Sequence, residues 1–248
     1  MTRITDFLHV KSQPGAERAS VFIRVIRGYN ARTLPTLLEC VVQTEDAAAA
    51  AERAGAARLE LCVRLDAGGV TPPDELIEGV VARVTIPVFV MIRPRGGDFV
   101  YSDQEFSDAL RSIDDVRARG ASGIVLGVLK RDDRVDVERT RRLVERAREL
   151  PVTFHRAFDA VHDQSAALEE VIAAGATRIL TSGAAATALD GADRLAALVH
   201  QAGGRLTIVA GGGVRAHNVR EIVARSGVHE VHARHEDEAG TRAMAGLL

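Results

Sequence analysis

From Leu37 to Ala233 the chain alternates eight short apolar runs with alanine- and arginine-rich stretches of helical spacing, and that rhythm leaves few architectures open. The runs are Leu37–Val42, Arg58–Cys62, Val88–Ile92, Gly123–Leu129, Val152–His155, Arg178–Thr181, Leu206–Ala210 and His229–Ala233. A helical pattern after each of the first seven is the signature of a parallel sheet. Strands two, four and six follow Gly55-Ala56, Gly120-Ala121 and Gly175-Ala176, and strand eight follows Gly227-Val228. Glycine just past a helix end takes the left-handed conformation that stops the helix. Strands one, three and five instead follow Pro35, Pro87 and Pro151. No GxGxxG follows the first strand, and Gly211-Gly212-Gly213 comes too late for a dinucleotide fingerprint. The expected fold is a single α/β domain over 37–248, a (β/α)8 TIM barrel. Only Glu236–Leu248 remain for its closing helix, which must be short.

Ahead of the barrel, residues 1–36 lack clear periodicity. Arg24 splits their longest apolar run and spoils a signal-peptide core, while Asp6 and Glu17 argue against a transit peptide. The expectation is a loosely ordered extension or a start assigned too far upstream. A net charge of −2 leaves no footprint for nucleic acid or an anionic membrane. No apolar stretch approaches the roughly 20 residues a membrane span needs. Trp is absent and aromatics make up 4% of the chain, so platforms for stacking bases or sugars are scarce. Lys11 and Lys130 are the only lysines and neither ends a strand, which argues against a Schiff-base enzyme. The two cysteines, Cys40 and Cys62, are too few for a disulfide framework and suit a reducing cytosol.

In such barrels the chemistry sits at the C-terminal ends of the strands. Alternation along each strand sorts its side chains into inward and outward sets. Glu39 and Val41 share one face of strand one, with Cys40 on the other; Glu60 and Cys62 share a face of strand two. Strand three delivers Arg93, strand five Thr153 and His155, strand six Thr181 or Ser182, and strand eight His232. If Glu39, Glu60, Arg93, His155 and His232 point inward, the barrel top is a ring of titratable groups. Arg93 is expected to answer one buried carboxylate with a bidentate contact. The alternative is a plug of internal ion pairs that does no chemistry.

Strand three ends in Arg93-Pro94-Arg95-Gly96-Gly97-Asp98, a charged loop free to approach a ligand, followed by a Ser102–Glu105 capping box. Thr153-Phe154-His155-Arg156-Ala157-Phe158-Asp159 offers His155 as acid or base, with Asp159 orienting it or capping the next helix. After strand seven, Gly211, Gly212 and Gly213, with Asn218 behind them, lie where barrels often bind phosphate through backbone N–H groups. Thr71 in Gly68-Gly69-Val70-Thr71-Pro72 reads as a helix cap. Spacing alone makes a metal shared by both cysteines improbable, since no CxxC is present.

These segments resemble the CutC copper-homeostasis family: LEC at 38–40, ARLELC at 57–62, GGVTP at 68–72, IPVFVMIRPRGGDFVYSDQEF at 86–106, VTFHRAFD at 152–159, RILTSG at 178–183, AGGGVRAHNV at 210–219 and EVHA at 230–233. The resemblance runs from about residue 37 to 235. It implies a cytoplasmic TIM barrel, a homo-oligomer and a role in copper tolerance, with Cu(I) bound through cysteines on the first two strands and no organic cofactor. The family's first-strand motif resembles L-E-V-C, but here Val41 stands where that cysteine would be and Cys40 comes one place early. Cys62 is thus the one metal ligand the resemblance carries over, with His155 or His232 as helpers. Glu39, Glu60, Arg93, Arg95, Asp98, His155, Arg156, Asp159, Ser182 and His232 all match the family's pattern.

Two readings follow. One is a Cu(I)-binding protein with Cys62 as leading ligand. The other is an isomerase or lyase acting on a small anionic or phosphorylated molecule. In the second, Glu39, Glu60, Arg93, His155, Asp159 and His232 would carry the catalysis, and Arg95, Asp98, Arg156, Ser182, Gly211–Gly213 and Asn218 would hold the substrate. Hard carboxylates and arginines are poor company for Cu(I).

Overall fold

The computed structural model describes residues 35–248, so the expected extension over 1–36 falls almost wholly outside it. Eight parallel strands close into a barrel in sequence order, β1 (Leu37–Val42), β2 (Arg58–Leu61), β3 (Val88–Met91), β4 (Gly123–Leu126), β5 (Val152–Phe154), β6 (Arg178–Thr181), β7 (Thr207–Gly211) and β8 (Glu230–Arg234). Helices α1 (Glu45–Arg53), α2 (Asp74–Arg83), α3 (Asp103–Ala118), α4 (Val137–Ala147), α5 (Gln164–Ala173), α6 (Ala192–Ala202) and α7 (Val219–Ser226) make the crossovers, and the short α8 (Glu238–Ala245) closes the ring. The last pairing sets β1 against β8 with Glu39 opposite His232. The expected barrel is the observed one.

Local chemistry explains the boundaries. The glycines expected to end helices, Gly55, Gly120, Gly175 and Gly227, all hold positive φ. Ser102 and Glu105 form the anticipated capping box: the Ser102 hydroxyl accepts the Glu105 N–H, and the Glu105 carboxylate accepts the Ser102 N–H at 2.7 Å. Thr71 is not a cap. Helix α2 begins after Pro73, and the Thr71 hydroxyl instead accepts the Arg93 N–H at 2.8 Å and donates to the Arg93 carbonyl at 3.1 Å. That clasp holds the loop after β2 against the end of β3.

The apolar core lies between strands and helices, where outward residues such as Leu59, Leu61, Ile124, Phe154 and Ile179 meet the inner faces of the helices. The barrel lumen carries a smaller cluster, Val41, Cys62, Phe89, Met91 and Val125. Gly123 makes room for Phe89, since a Cβ there would sit 2.5 Å from the ring. The rest of the lumen is polar, which is unusual for a volume closed by packed side chains and sets the site apart.

Candidate functional site

The lumen's floor is an ion network. Glu39, fully buried, contacts Arg58 and lies 3.0 Å from Arg178 Nη2. Arg178 also reaches Glu230 at 2.7 Å and donates to the Thr153 hydroxyl at 2.7 Å, while Arg58 bridges to Glu230. The guanidinium carbons of Arg58 and Arg178 stand 4.9 and 5.0 Å from the centre of the Phe89 ring. Burial alone would raise the Glu39 pKa. Arg178 and Arg58, helped by His232, outweigh it and hold this carboxyl well below the usual range. Two arginines therefore take the part expected of Arg93.

Glu60 is treated differently. It is 3% exposed, no arginine touches it, and its Oε2 has no hydrogen-bond partner among the described residues. Burial raises its pKa and nearby Glu39 adds to this, against the attraction of His232. His232 Nδ1 lies 2.9 Å from Glu39 Oε1 and 3.9 Å from Glu60 Oε2. Burial lowers the His232 pKa, but Glu60 and Glu39 more than reverse it, so the net shift is upward. Both shifts are upward, so Glu60 and His232 compete for a proton beside a third group held in its ionised form. The donor atoms of Glu39, Glu60 and His232 lie within 4.8 Å of one another.

Arg93, Phe99 and His155 form one wall. Arg93 is 4% exposed, yet it meets no carboxylate among the described residues. Its guanidinium donates to the carbonyls of Ala67 (3.1 Å), Gly69 (3.0 Å) and Gly97 (2.7 Å) and lies 4.7 Å from the Phe99 ring centre. The bidentate contact to a buried glutamate is not made, because the side chain is spent on organising two loops. Phe99 packs on His155 at 5.0 Å between ring centres. The His155 Nδ1 accepts the Ala157 N–H at 3.2 Å, which leaves the proton on Nε2, and buried Nε2 has no partner among the described residues. Burial, reinforced by the charge of Arg93, pushes the His155 pKa down to about 3. This imidazole is neutral and offers a hydrogen-bond donor rather than a base.

Asp159 neither orients His155 nor caps α5, whose cap is Asp163. It accepts the N–H groups of Ser182 and Ala184 (both 3.1 Å) and pairs with Arg156 at 2.7 Å, while Arg156 also donates to the Ser182 hydroxyl. Asp159, Arg156 and Ser182 therefore brace the loops after β5 and β6. Arg95 is tied to Glu105 (2.6 Å), Asp98 (2.9 Å) and the Val100 carbonyl, outside the cavity, and Asp98 is exposed. Gly211 ends β7 against Leu180.

A cavity of about 550 Å³ opens above Glu60 and His232. The Arg93–Phe99–His155 wall lines one part of it, and Arg156, Gly212, Gly213, Val214, Arg215 and Arg234 line another. Among the described residues, four arginines and one glutamate face this space. Arg215 and Arg234 escaped the sequence reading: Arg215 lies inside the AGGGVRAHNV segment and Arg234 just past EVHA, and neither carries a sequence signal that separates a cavity-facing arginine from the many surface ones. Arg58 and Arg178 escaped because they begin their strands, although alternation puts Arg58 on the face of Glu60. Asn218 lies behind the glycine loop, accepting the Arg215 N–H at 2.8 Å and donating to the Gly213 carbonyl at 2.9 Å.

The cysteines do not form a soft-metal pair. Cys40 faces outward into the apolar core, where burial pushes its thiol up to about 12. Cys62 faces the lumen beside Val41 and Met91, and burial next to the Glu60 carboxyl raises its thiol further. Two thiols on opposite faces of a sheet cannot share an ion, and neither environment favours a thiolate. A dithiolate Cu(I) site does not fit these residues.

The chain matches the CutC family over residues 36–236. It is 46% identical over 196 residues to a copper homeostasis protein cutC homolog of Homo sapiens, covering 79% of this chain and 72% of that one. It is 48% identical over 196 residues to a family protein CutC of Caulobacter vibrioides, covering 79% and 80%. Among solved structures, the CutC protein of Streptococcus agalactiae superposes with a TM-score of 0.75 at 33% identity, covering 79% of this chain and 97% of that one. An aldolase at 15% identity and a TM-score of 0.63 shares the barrel architecture alone.

Proposed function

The chain belongs to the CutC family, and from that premise we propose that this member works in the cytoplasm by acid–base chemistry on a small anionic molecule at the barrel mouth, not by trapping Cu(I) between paired thiolates. The observation that carries this reading is the unequal treatment of two buried glutamates. Glu39 is neutralised by Arg58 and Arg178, whereas Glu60 meets no arginine among the described residues and opens onto the cavity. Two carboxyls whose environments push their pKa values apart are how one site keeps a fixed charge and a mobile proton together.

The remaining groups suit proton transfer next to a carbonyl. The cationic rim favours an anionic substrate. The neutral His155 donates its Nε2 proton in a hydrogen bond to the carbonyl oxygen. Ionised Glu60 takes a proton from the adjacent carbon, so the C–H electron pair moves into an enolate whose oxygen His155 stabilises. Where the deprotonated carbon carries a hydroxyl, passing the hydroxyl proton to the enolate oxygen and returning the carbon-bound proton to the former carbonyl carbon completes an isomerisation. Where the next carbon carries a leaving group, the enolate electron pair forms the new C=C bond, expels that group and completes a lyase reaction. His232 exchanges the proton with Glu60, and Glu39 holds His232 in place. Among the described residues no lysine lines the cavity, so the carbonyl is activated by hydrogen bonding.

Proton NMR of the protein with pooled carboxylated and phosphorylated carbonyl compounds in D2O tests this directly. A compound whose C–H signal is lost or rearranged with wild type, and not with Glu60→Gln, supports the reading. Identical behaviour of the two proteins on a turned-over compound, or no exchange across the pool, would sink it.

Cu(I) carried as cargo has one observation behind it. Cys62 and the thioether of Met91 share the small lumenal cluster, which brings two soft sulfurs near each other.

A further inference from the structure

The carbonyls of the loop after β7 are tied into the scaffold. The Gly212 carbonyl accepts the Ala188 N–H at 2.8 Å and the Gly213 carbonyl accepts from Asn218 Nδ2 at 2.9 Å. A trans peptide points its N–H opposite to its carbonyl. These two ties therefore turn the N–H groups of Gly213 and Val214 away from Ala188 and Asn218. Among the described residues, no acceptor takes either of them or the N–H of Gly212. Gly212 (φ 106°) and Gly213 (φ 69°) both hold the left-handed backbone that presents successive N–H groups to one anion. All three residues line the cavity.

The charges agree with this. Arg234, on the same lining, has no ion-pair or hydrogen-bond partner for its side chain among the described residues, in a chain where most arginines are paired. Arg215 and Arg156 line the same cavity, and the one carboxyl facing it among the described residues, Glu60, belongs to the floor. His155, 4% exposed and with Nε2 unpartnered, lines the same space and marks it as built for a ligand.

We infer that Gly212–Val214 and Arg234 seat a phosphate group, so that the molecule handled at the barrel mouth is a phosphate monoester whose reacting carbons reach toward Glu60. This rests on the acid–base reading for the reacting end of the molecule, but the anion seat can be tested alone. Asn218 acts as a positioning residue: it fixes the Gly213–Val214 peptide and does not itself face the anion.

The test is a titration of the full chain with inorganic phosphate at low ionic strength, followed by amide 1H–15N NMR. Saturable shifts centred on Gly212, Gly213 and Val214 are expected. Arg234→Gln, a change at an exposed side chain, should weaken the affinity about tenfold, and Asn218→Ala should weaken it while moving the Val214 amide in the free protein. Glu60→Gln should retain phosphate binding while losing C–H exchange, which separates failure of the seat from failure of the chemistry. No saturation by about 50 mM phosphate, shifts centred elsewhere, or an unchanged affinity in Arg234→Gln would each overturn the proposal.

Discussion

His232 Nδ1 lies 2.9 Å from Oε1 of Glu39, a carboxylate that two arginines already neutralise. The same nitrogen is 3.9 Å from Oε2 of Glu60, which no arginine touches among the described residues. The imidazole is therefore anchored by a group that stays charged and faces one that need not be. This asymmetry lets a proton sit on either Glu60 or His232 without opening the ion network below.

Glu60 should trade stability for function. Its folded pKa is raised, so its contribution to stability is complete below the unfolded carboxyl pKa and is lost as pH rises through the folded value. Glu60→Gln is expected to raise stability at neutral pH by about 1 kcal/mol while abolishing C–H exchange. In the wild type, exchange should increase with pH through the raised Glu60 pKa. Urea unfolding and exchange rates between pH 4 and 8, on the order of the range where carboxyl and imidazole groups titrate, would show both effects.

Arg178 should matter for the fold more than any residue of the glycine loop. Removing it strips Glu39 of one cation and leaves Thr153 and Glu230 without their shared partner. Arg178→Met is expected to cost about 3 kcal/mol, the lower end for breaking a buried ion pair, because Arg58 still answers Glu39. The loss should shrink in acid. The folded pKa of Glu39 is depressed, so its stabilisation is present above the unfolded value and disappears as pH falls through the folded one. Chemical denaturation of both proteins at neutral and acid pH measures the difference.

The barrel could be read from the sequence because its signals are local. The two-residue period of the strands, the helical spacing between them and the glycines after helices each act within a few residues. Glu39, Glu60, Arg93, His155 and His232 could likewise be singled out, since strand alternation decides which face they take. Their partners could not. Whether Glu39 meets Arg93 or Arg178 depends on the stagger of strands far apart in the chain, and the structure brings Glu39 to Arg178 across the lumen. Arg95 and Asp98 sit in the most conspicuous motif of the chain and serve to hold its own loop. Charge at a strand end shows where a site can be, and the hydrogen-bond partners decide which of those charges remain free for a ligand.

His155 should remain neutral throughout the range in which the protein is folded. Its pKa is pushed down to about 3 by burial and Arg93, so its ring resonances should not titrate between roughly pH 5 and 8, where an unperturbed imidazole would. Since the folded pKa lies below the unfolded one, stability from this residue is full above the unfolded value and is lost as pH falls toward 3. The resonances of His232 should move the other way, titrating above the ordinary imidazole value. A His155 ring that titrates near its ordinary value would remove the neutral donor from the proposed chemistry.

Val41 offers a way to separate the copper reading from the acid–base one. It faces the lumen in the same small cluster as Cys62, whereas Cys40 lies on the other side of the sheet. Val41→Cys therefore places a second thiol near the first, with little loss of packing because the side chain becomes only slightly smaller. In a Cu(I) competition titration under reducing conditions, this variant should bind at least about tenfold more tightly than wild type, a gain of roughly 1.4 kcal/mol. The wild-type affinity should be weak, should fall with Cys62→Ser, and should be unchanged by Cys40→Ser. Its pH dependence should be steep, because burial raises the Cys62 thiol pKa and Cu(I) must displace that proton. Tight binding by the wild type, lost equally in both serine variants, would mean that the sheet presents both sulfurs to one ion, and would return copper to the centre of this protein's role.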